Sequence, residues 1–111
     1  MKISSSIFCR SFKYKFPSKY KIKFLPKTPS LRIIKKNLVY IIKNNDKYYW
    51  AILRCPCGCK NVISLSLSDS KDLYWTLSVT DYGYPTLTPS IKQIKGCYSH
   101  FYLKNGDIVW C

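Results

Sequence analysis

Along most of this chain apolar and polar residues alternate with a period of two, and almost nowhere with the period of a helix. SFKYKFPSKYKIKF (11–24) sets aromatic or aliphatic residues against lysines, the pattern of a strand with one wet face. Pro17 divides it, so two short strands or one broken edge strand are expected. LPKTPS (25–30) is a loop by its two prolines. LVYII (38–42), KNND and KYYWAIL (47–53) read as a β-hairpin whose second strand runs into a cysteine cluster. VISLSLS (62–68) and LYWTLSV (73–79) alternate cleanly and are expected strands, with DYGYP (81–85) a turn. FYLKNGDIVW (101–110) is the clearest hairpin, with Asn105-Gly106 as a type I′ turn. LRIIKKNL (31–38) is the one helix candidate, and its two β-branched isoleucines weaken it. The pattern predicts a mainly β fold, a single antiparallel domain with room for one short helix.

The length of 111 residues fits one domain, and 47% hydrophobic with 16% aromatic residues describes a folded chain. No run approaches the roughly 18 apolar residues of a membrane span, so no membrane partner is expected. The opening MKISSSIFCR is too short and polar for a signal peptide's apolar region. A cytoplasmic protein is therefore expected, where clustered thiols mean metal more often than disulfides. The net charge of +14 is uneven. Residues 1–49 hold 13 of the 19 Lys and Arg with a single acid, Asp46, whereas residues 50–111 hold the other six with four aspartates. The chain thus divides into a basic, aromatic half (1–49) and a cysteine-bearing half (50–111). No glutamate occurs, which removes HExxH metalloproteases and every mechanism with a Glu base.

RCPCGCKN (54–61) places Cys55, Cys57 and Cys59 in five positions, with Pro56 and Gly58 able to make the tight turn that brings sulfurs together. The next candidate ligands are Cys97 and His100 in GCYSHF, a short chelating loop holding the only histidine. Two such loops about 40 residues apart, each at a strand end, are the usual plan of a closed zinc site. One structural zinc per chain is expected. Cys55, Cys57, Cys97 and His100 form the first-choice Cys₃His set. An all-thiolate set drawn from Cys55, Cys57 or Cys59 with Cys97 and Cys111 is the alternative and leaves His100 free. Cys9 stands alone and reads as a small apolar residue.

With those residues in hand, the order W…RCPCGC…ISLSL…W-x-L…TLTPSI…GCYSHF…NGDIVWC over residues 50–111 resembles a family of small bacterial proteins of unknown-function designation. Its members often lie beside genes for ubiquitin-like proteins and their activating and conjugating enzymes. The resemblance leaves out the basic first half. It implies a zinc site on Cys55, Cys57, Cys59, Cys97 and His100. It also implies a serine-dependent peptidase that trims or removes ubiquitin-like modifiers, with the ubiquitin-like protein or its conjugating machinery as partner. Here that points to Ser90 as nucleophile and His100 as its base. Asp81 or Asp107 could then orient the imidazole. Ser99, next to His100, would point the other way in a strand and ranks lower. His100 cannot be both a tightly held ligand and the base.

The rival reading is a non-enzymatic zinc module that binds nucleic acid or a protein partner. Lys13, Lys15, Lys19, Lys21 and Lys23 would neutralise phosphates, while Tyr14 and Tyr20 would stack on bases. The plainer account of the same residues is a strand with its aromatics buried and its lysines solvated.

Overall fold

The computed structural model describes residues 19–111 apart from Lys71 and Lys95, together with the backbone of Arg10–Ser11. Nine strands lie in the described residues: β1 (Arg10–Ser11), β2 (Lys21–Leu25), β3 (Leu38–Asn44), β4 (Lys47–Arg54), β5 (Val62–Ser66), β6 (Thr76–Val79), β7 (Pro85–Lys92), β8 (His100–Lys104) and β9 (Asp107–Trp110). They form two sheets, one ordered β1-β9-β8-β7-β6 and the other β2-β3-β4-β5. Every pairing is antiparallel except that of β2 with β3, which run parallel. The mainly antiparallel β expectation holds. The helix candidate is reduced to one 3₁₀ turn, Leu31–Ile33, where the Ser30 hydroxyl accepts from the Arg32 N–H. Two β-branched isoleucines and the polar run behind them give a longer helix no apolar stripe to bury.

Period-two alternation explains how the sheets meet. Val39 and Ile41 on β3, Ala51 and Leu53 on β4, and Ile63 and Leu65 on β5 turn toward Leu87, Ile91, Phe101, Leu103 and Ile108 of the other sheet. The opposite face of the four-stranded sheet is also covered, by Tyr40, Ile42 and Ile52 packed with Ile34. That is why LVYII reads as an unbroken apolar run: β3 is buried on both sides. The connection carrying Ile34 is fastened by polar contacts. Tyr40 Oη accepts from the Lys35 N–H at 2.9 Å and donates to the Ile33 carbonyl at 3.1 Å.

Several boundaries differ from the pattern reading. β4 runs across residues 49 and 50 without a break, so the basic half supplies β2, β3 and the start of β4 to their sheet. β7 carries two prolines and was not expected as a strand. Pro85 opens it, and Pro89 lies where the register with β8 shifts between Leu87 and Ile91, positions that tolerate a missing N–H. β6 starts only at Thr76, because the Trp75 N–H leaves the sheet to donate to the Ser66 carbonyl at 2.8 Å. The Asn105-Gly106 turn has φ of 49° and 83°, as type I′ requires. A Cβ at Gly106 would stand 3.0 Å from the Tyr20 carbonyl oxygen, so only glycine fits under the chain entering β2. Of the segment expected as strands over 11–24, residues 12–18 lie outside the described residues. Among the described residues no helix is long and apolar enough to cross a membrane.

Candidate functional site

β4 delivers Cys55 into a closed loop. The Cys55 N–H donates to the Asn61 carbonyl at 2.8 Å, and Gly58 and Lys60 take left-handed conformations with φ of 92° and 71°. The Cys59 N–H donates to Cys57 Sγ at 3.4 Å, a turn that folds thiols inward. Arg54 anchors this loop without any acidic partner. Its guanidinium donates to the carbonyls of Ile34 (2.7 Å), Lys60 (2.8 Å) and Leu31 (2.9 Å). The second jaw precedes β8, where Gly96 and Tyr98 have φ of 69° and 53°. A Cβ on Gly96 would lie 3.0 Å from Asn61 Nδ2, so glycine lets the two jaws close.

Between the jaws the sulfurs of Cys55, Cys57, Cys59 and Cys97 all lie within 4.8 Å of one another. Cys55 Sγ is 3.4 Å from Cys57 Sγ and 3.6 Å from Cys97 Sγ, and all four are free thiols. A tetrahedral ion with metal–sulfur bonds of about 2.3 Å sets its sulfurs about 3.8 Å apart, so this donor set fits a tetrahedral metal. Ser99, buried beneath the group, is 3.1 Å from Cys55 Sγ, and Cys97 Sγ donates to its hydroxyl oxygen at 3.4 Å. The side chain and backbone of Ser99 favour the Cys97 thiolate and hold its pKa at about 6. Desolvation, then the neighbouring thiols, pushes Cys57 up to about 12, and burial raises Cys55. A cation bound among them would reverse those upward shifts by favouring thiolate.

The Cys₃His set expected first is not what the fold assembles: Cys59 joins the group and His100 does not. Cys111, the alternative thiolate, is disulfide-bonded. Cys9 lies outside the described residues.

His100 stays out of the thiol group because β8 alternates. Phe101 and Leu103 are buried in the core, which turns His100 and Tyr102 to the opposite face of the sheet. Lys92 on β7 is its partner across the ladder, and Ser90 lies two residues before Lys92 on the same face. There Ser90 Oγ and His100 Nε2 are 2.9 Å apart. Partial burial, then the charge of Lys92, lowers the His100 pKa below the ordinary histidine value. Both effects favour the neutral ring, whose Nε2 can accept the serine proton. Neither aspartate proposed as an orienting group reaches it among the described residues. Asp107 Oδ2 accepts from Lys19 Nζ at 2.8 Å, and Asp81 sits in the exposed turn before β7. The arrangement is a dyad.

A family model for "Bacterial ubiquitination-like system serine protease (BubE)" matches residues 24–111. The chain belongs to the BubE family. The match begins at Phe24, so the resemblance seen over residues 50–111 extends back through β3 and β4 into the basic half. No curated protein sequence and no solved structure matches the chain. The family's name ties the protein to a ubiquitin-like conjugation system.

The residues proposed for nucleic acid fare differently. Lys13, Tyr14 and Lys15 lie outside the described residues. Tyr20 is part of the core, with its hydroxyl donating to the Arg54 carbonyl, and offers no stacking face. Lys19 is held by Asp107 and the Asn105 carbonyl, while Lys21 and Lys23 are exposed on β2. Sequence reasoning missed two contributors to the dyad. Trp75 Nε1 donates to the Ser90 carbonyl at 3.3 Å, and Lys92 faces His100. Trp75 stood in the W-x-L element, but nothing in a strand pattern tells a packing indole from a donating one.

Proposed function

We propose that the protein is a serine-dependent peptidase that processes or removes a ubiquitin-like protein, using Ser90 as nucleophile and His100 as general base. The observation that carries this reading is the 2.9 Å approach of Ser90 Oγ to His100 Nε2 on the solvent-facing side of the sheet. With Nδ1 carrying the ring proton, the Ser90 hydroxyl donates to Nε2. As Oγ bonds to the scissile carbonyl carbon, its proton passes to Nε2, and the carbonyl π electrons move to oxygen. Collapse breaks the C–N bond, and His100 gives that proton to the leaving amine. Water then adds to the acyl ester, losing a proton to Nε2, and Ser90 Oγ departs with it. The indole N–H of Trp75 fixes the Ser90 carbonyl, while burial and then the charge of Lys92 disfavour protonation of the ring.

Cys55, Cys57, Cys59 and Cys97 would hold one zinc, a structural cross-link between the loop after β4 and the segment before β8. Structural zinc contributes on the order of 10 kcal/mol to folding, comparable to the whole net stability of an ordinary domain. The test is hydrolysis of a ubiquitin-like protein carrying a C-terminal extension. Ser90→Ala should cost at least about 10³-fold in kcat with the melting temperature unchanged. A folded Ser90→Ala protein that turns over at the wild-type rate contradicts the reading.

A further inference from the structure

Around the start of β6 lies a hollow of about 390 Å³, walled by Tyr48 and Tyr49 of β4, Leu67, and Tyr74, Trp75 and Leu77. That volume is in the range of ligand pockets and accommodates two or three amino-acid side chains. Its aromatic walls are partly solvated: Tyr48, Tyr49 and Tyr74 each keep close to two-fifths of their surface exposed. Two observations connect it with Ser90. Trp75, one of its walls, is the residue whose indole N–H donates to the Ser90 carbonyl. In addition, β6 is the end strand of its sheet and its first residue, Thr76, pairs with Thr88 of β7, so Ser90 lies just beyond the point where β6 begins.

We infer that this hollow is the substrate subsite of the peptidase, receiving an apolar or aromatic side chain of an extended peptide whose backbone runs along the free edge of β6. The inference rests on the peptidase reading and adds to it the chemistry of the bound segment. A strand edge offers backbone N–H and C=O groups in the spacing that an extended peptide matches. Tyrosine walls provide large apolar area at little cost in side-chain freedom and do not collapse when empty. Lys47 and Asp69 line it with opposite charges that offset each other, so the selectivity is carried by the aromatic and aliphatic walls.

The experiment compares two reagents that acylate or phosphonylate a serine nucleophile. A small alkyl fluorophosphonate requires only the dyad. Tripeptidyl diphenylphosphonates, with phenylalanine, leucine, glycine or aspartate at each position, require the subsite as well. On wild type, the small reagent should modify Ser90, and the best aromatic or leucine peptide should react at least tenfold faster than its aspartate counterpart. Tyr74→Ser and, separately, Tyr49→Ser should erase that preference while leaving the small reagent's rate unchanged. If the preference survives both substitutions, or if both reagents slow equally, the hollow is not the subsite. Should Tyr74→Ser convert a dimer into a monomer in sedimentation, the hollow is a subunit contact and the inference falls. No modification of Ser90 by the small reagent removes the peptidase reading itself, and the subsite with it.

Discussion

Ser90 and His100 meet because of a single alternation. Phe101 and Ile91 face the core, so their neighbours face outward, and the pairing of Lys92 with His100 sets Ser90 diagonally across from the ring. Diagonal neighbours in a sheet are about 7–8 Å apart at the backbone, and an imidazole spans that gap. A dyad without an aspartate depends more heavily on its other neighbours. Burial and Lys92 both lower the His100 pKa, so the acid limb of kcat/KM should lie below the ordinary value of about 6.5. Activity rises through that limb as His100 loses its proton. Lys92→Gln removes one of the two effects and should move the limb to higher pH, which a pH–rate profile on both proteins checks; an unmoved limb excludes Lys92 as a contributor. Trp75→Phe keeps the ring and loses the N–H to Ser90. Its kcat should fall by about tenfold, the order expected for one lost positioning hydrogen bond, with the acid limb unmoved. A change confined to stability would make Trp75 a packing residue only.

At the level of elements, the two jaws show how a short motif is completed by chain far from it. Arg54 satisfies three backbone carbonyls and joins the cysteine loop to the 3₁₀ turn that caps the outer face of β3. Arg54→Met should lower stability by about 2 kcal/mol, since charged-donor hydrogen bonds are among the stronger ones and the one to the Ile34 carbonyl is partly buried. Denaturant unfolding with metal present measures it, and a loss under about 0.5 kcal/mol would mean water replaces the guanidinium. Gly96→Val asks a β-branched residue to adopt φ near 69° against Asn61 and should weaken metal retention as well as stability. Much of this was legible in the sequence. The hairpins and the cysteine jaws follow from period-two alternation and from a few turn residues, whereas Ser90 and its link to His100 rest on the family resemblance. β7 was hidden because its prolines argue against a strand, and the register shift that accommodates them is a tertiary fact. The membership of Cys59 rather than His100 in the thiol group was hidden too. Spacing supplies candidate donors, but which face of β8 meets the loop is decided by the burial of Phe101.

Across the whole molecule, the dyad and the thiol group stand on opposite sides of one β-strand end, with Ser99 bonded to the sulfurs and His100 to Ser90. Phe101, fully buried between them, supports both, and Phe101→Ala should cost about 3–5 kcal/mol in unfolding free energy. Chelation should lower the melting temperature before it touches the dyad directly, so activity and fold should be lost together and return together when zinc is restored. The central claim is that His100 serves Ser90 and not the metal. The measurement that tests it most directly is metal per chain in wild type and His100→Ala, by elemental analysis, with a melting curve and fluorophosphonate labelling on the same samples. The account predicts that His100→Ala keeps its full metal content and melting temperature while Ser90 is no longer labelled. Loss of the metal and an early melt in His100→Ala would make His100 a ligand and contradict the account.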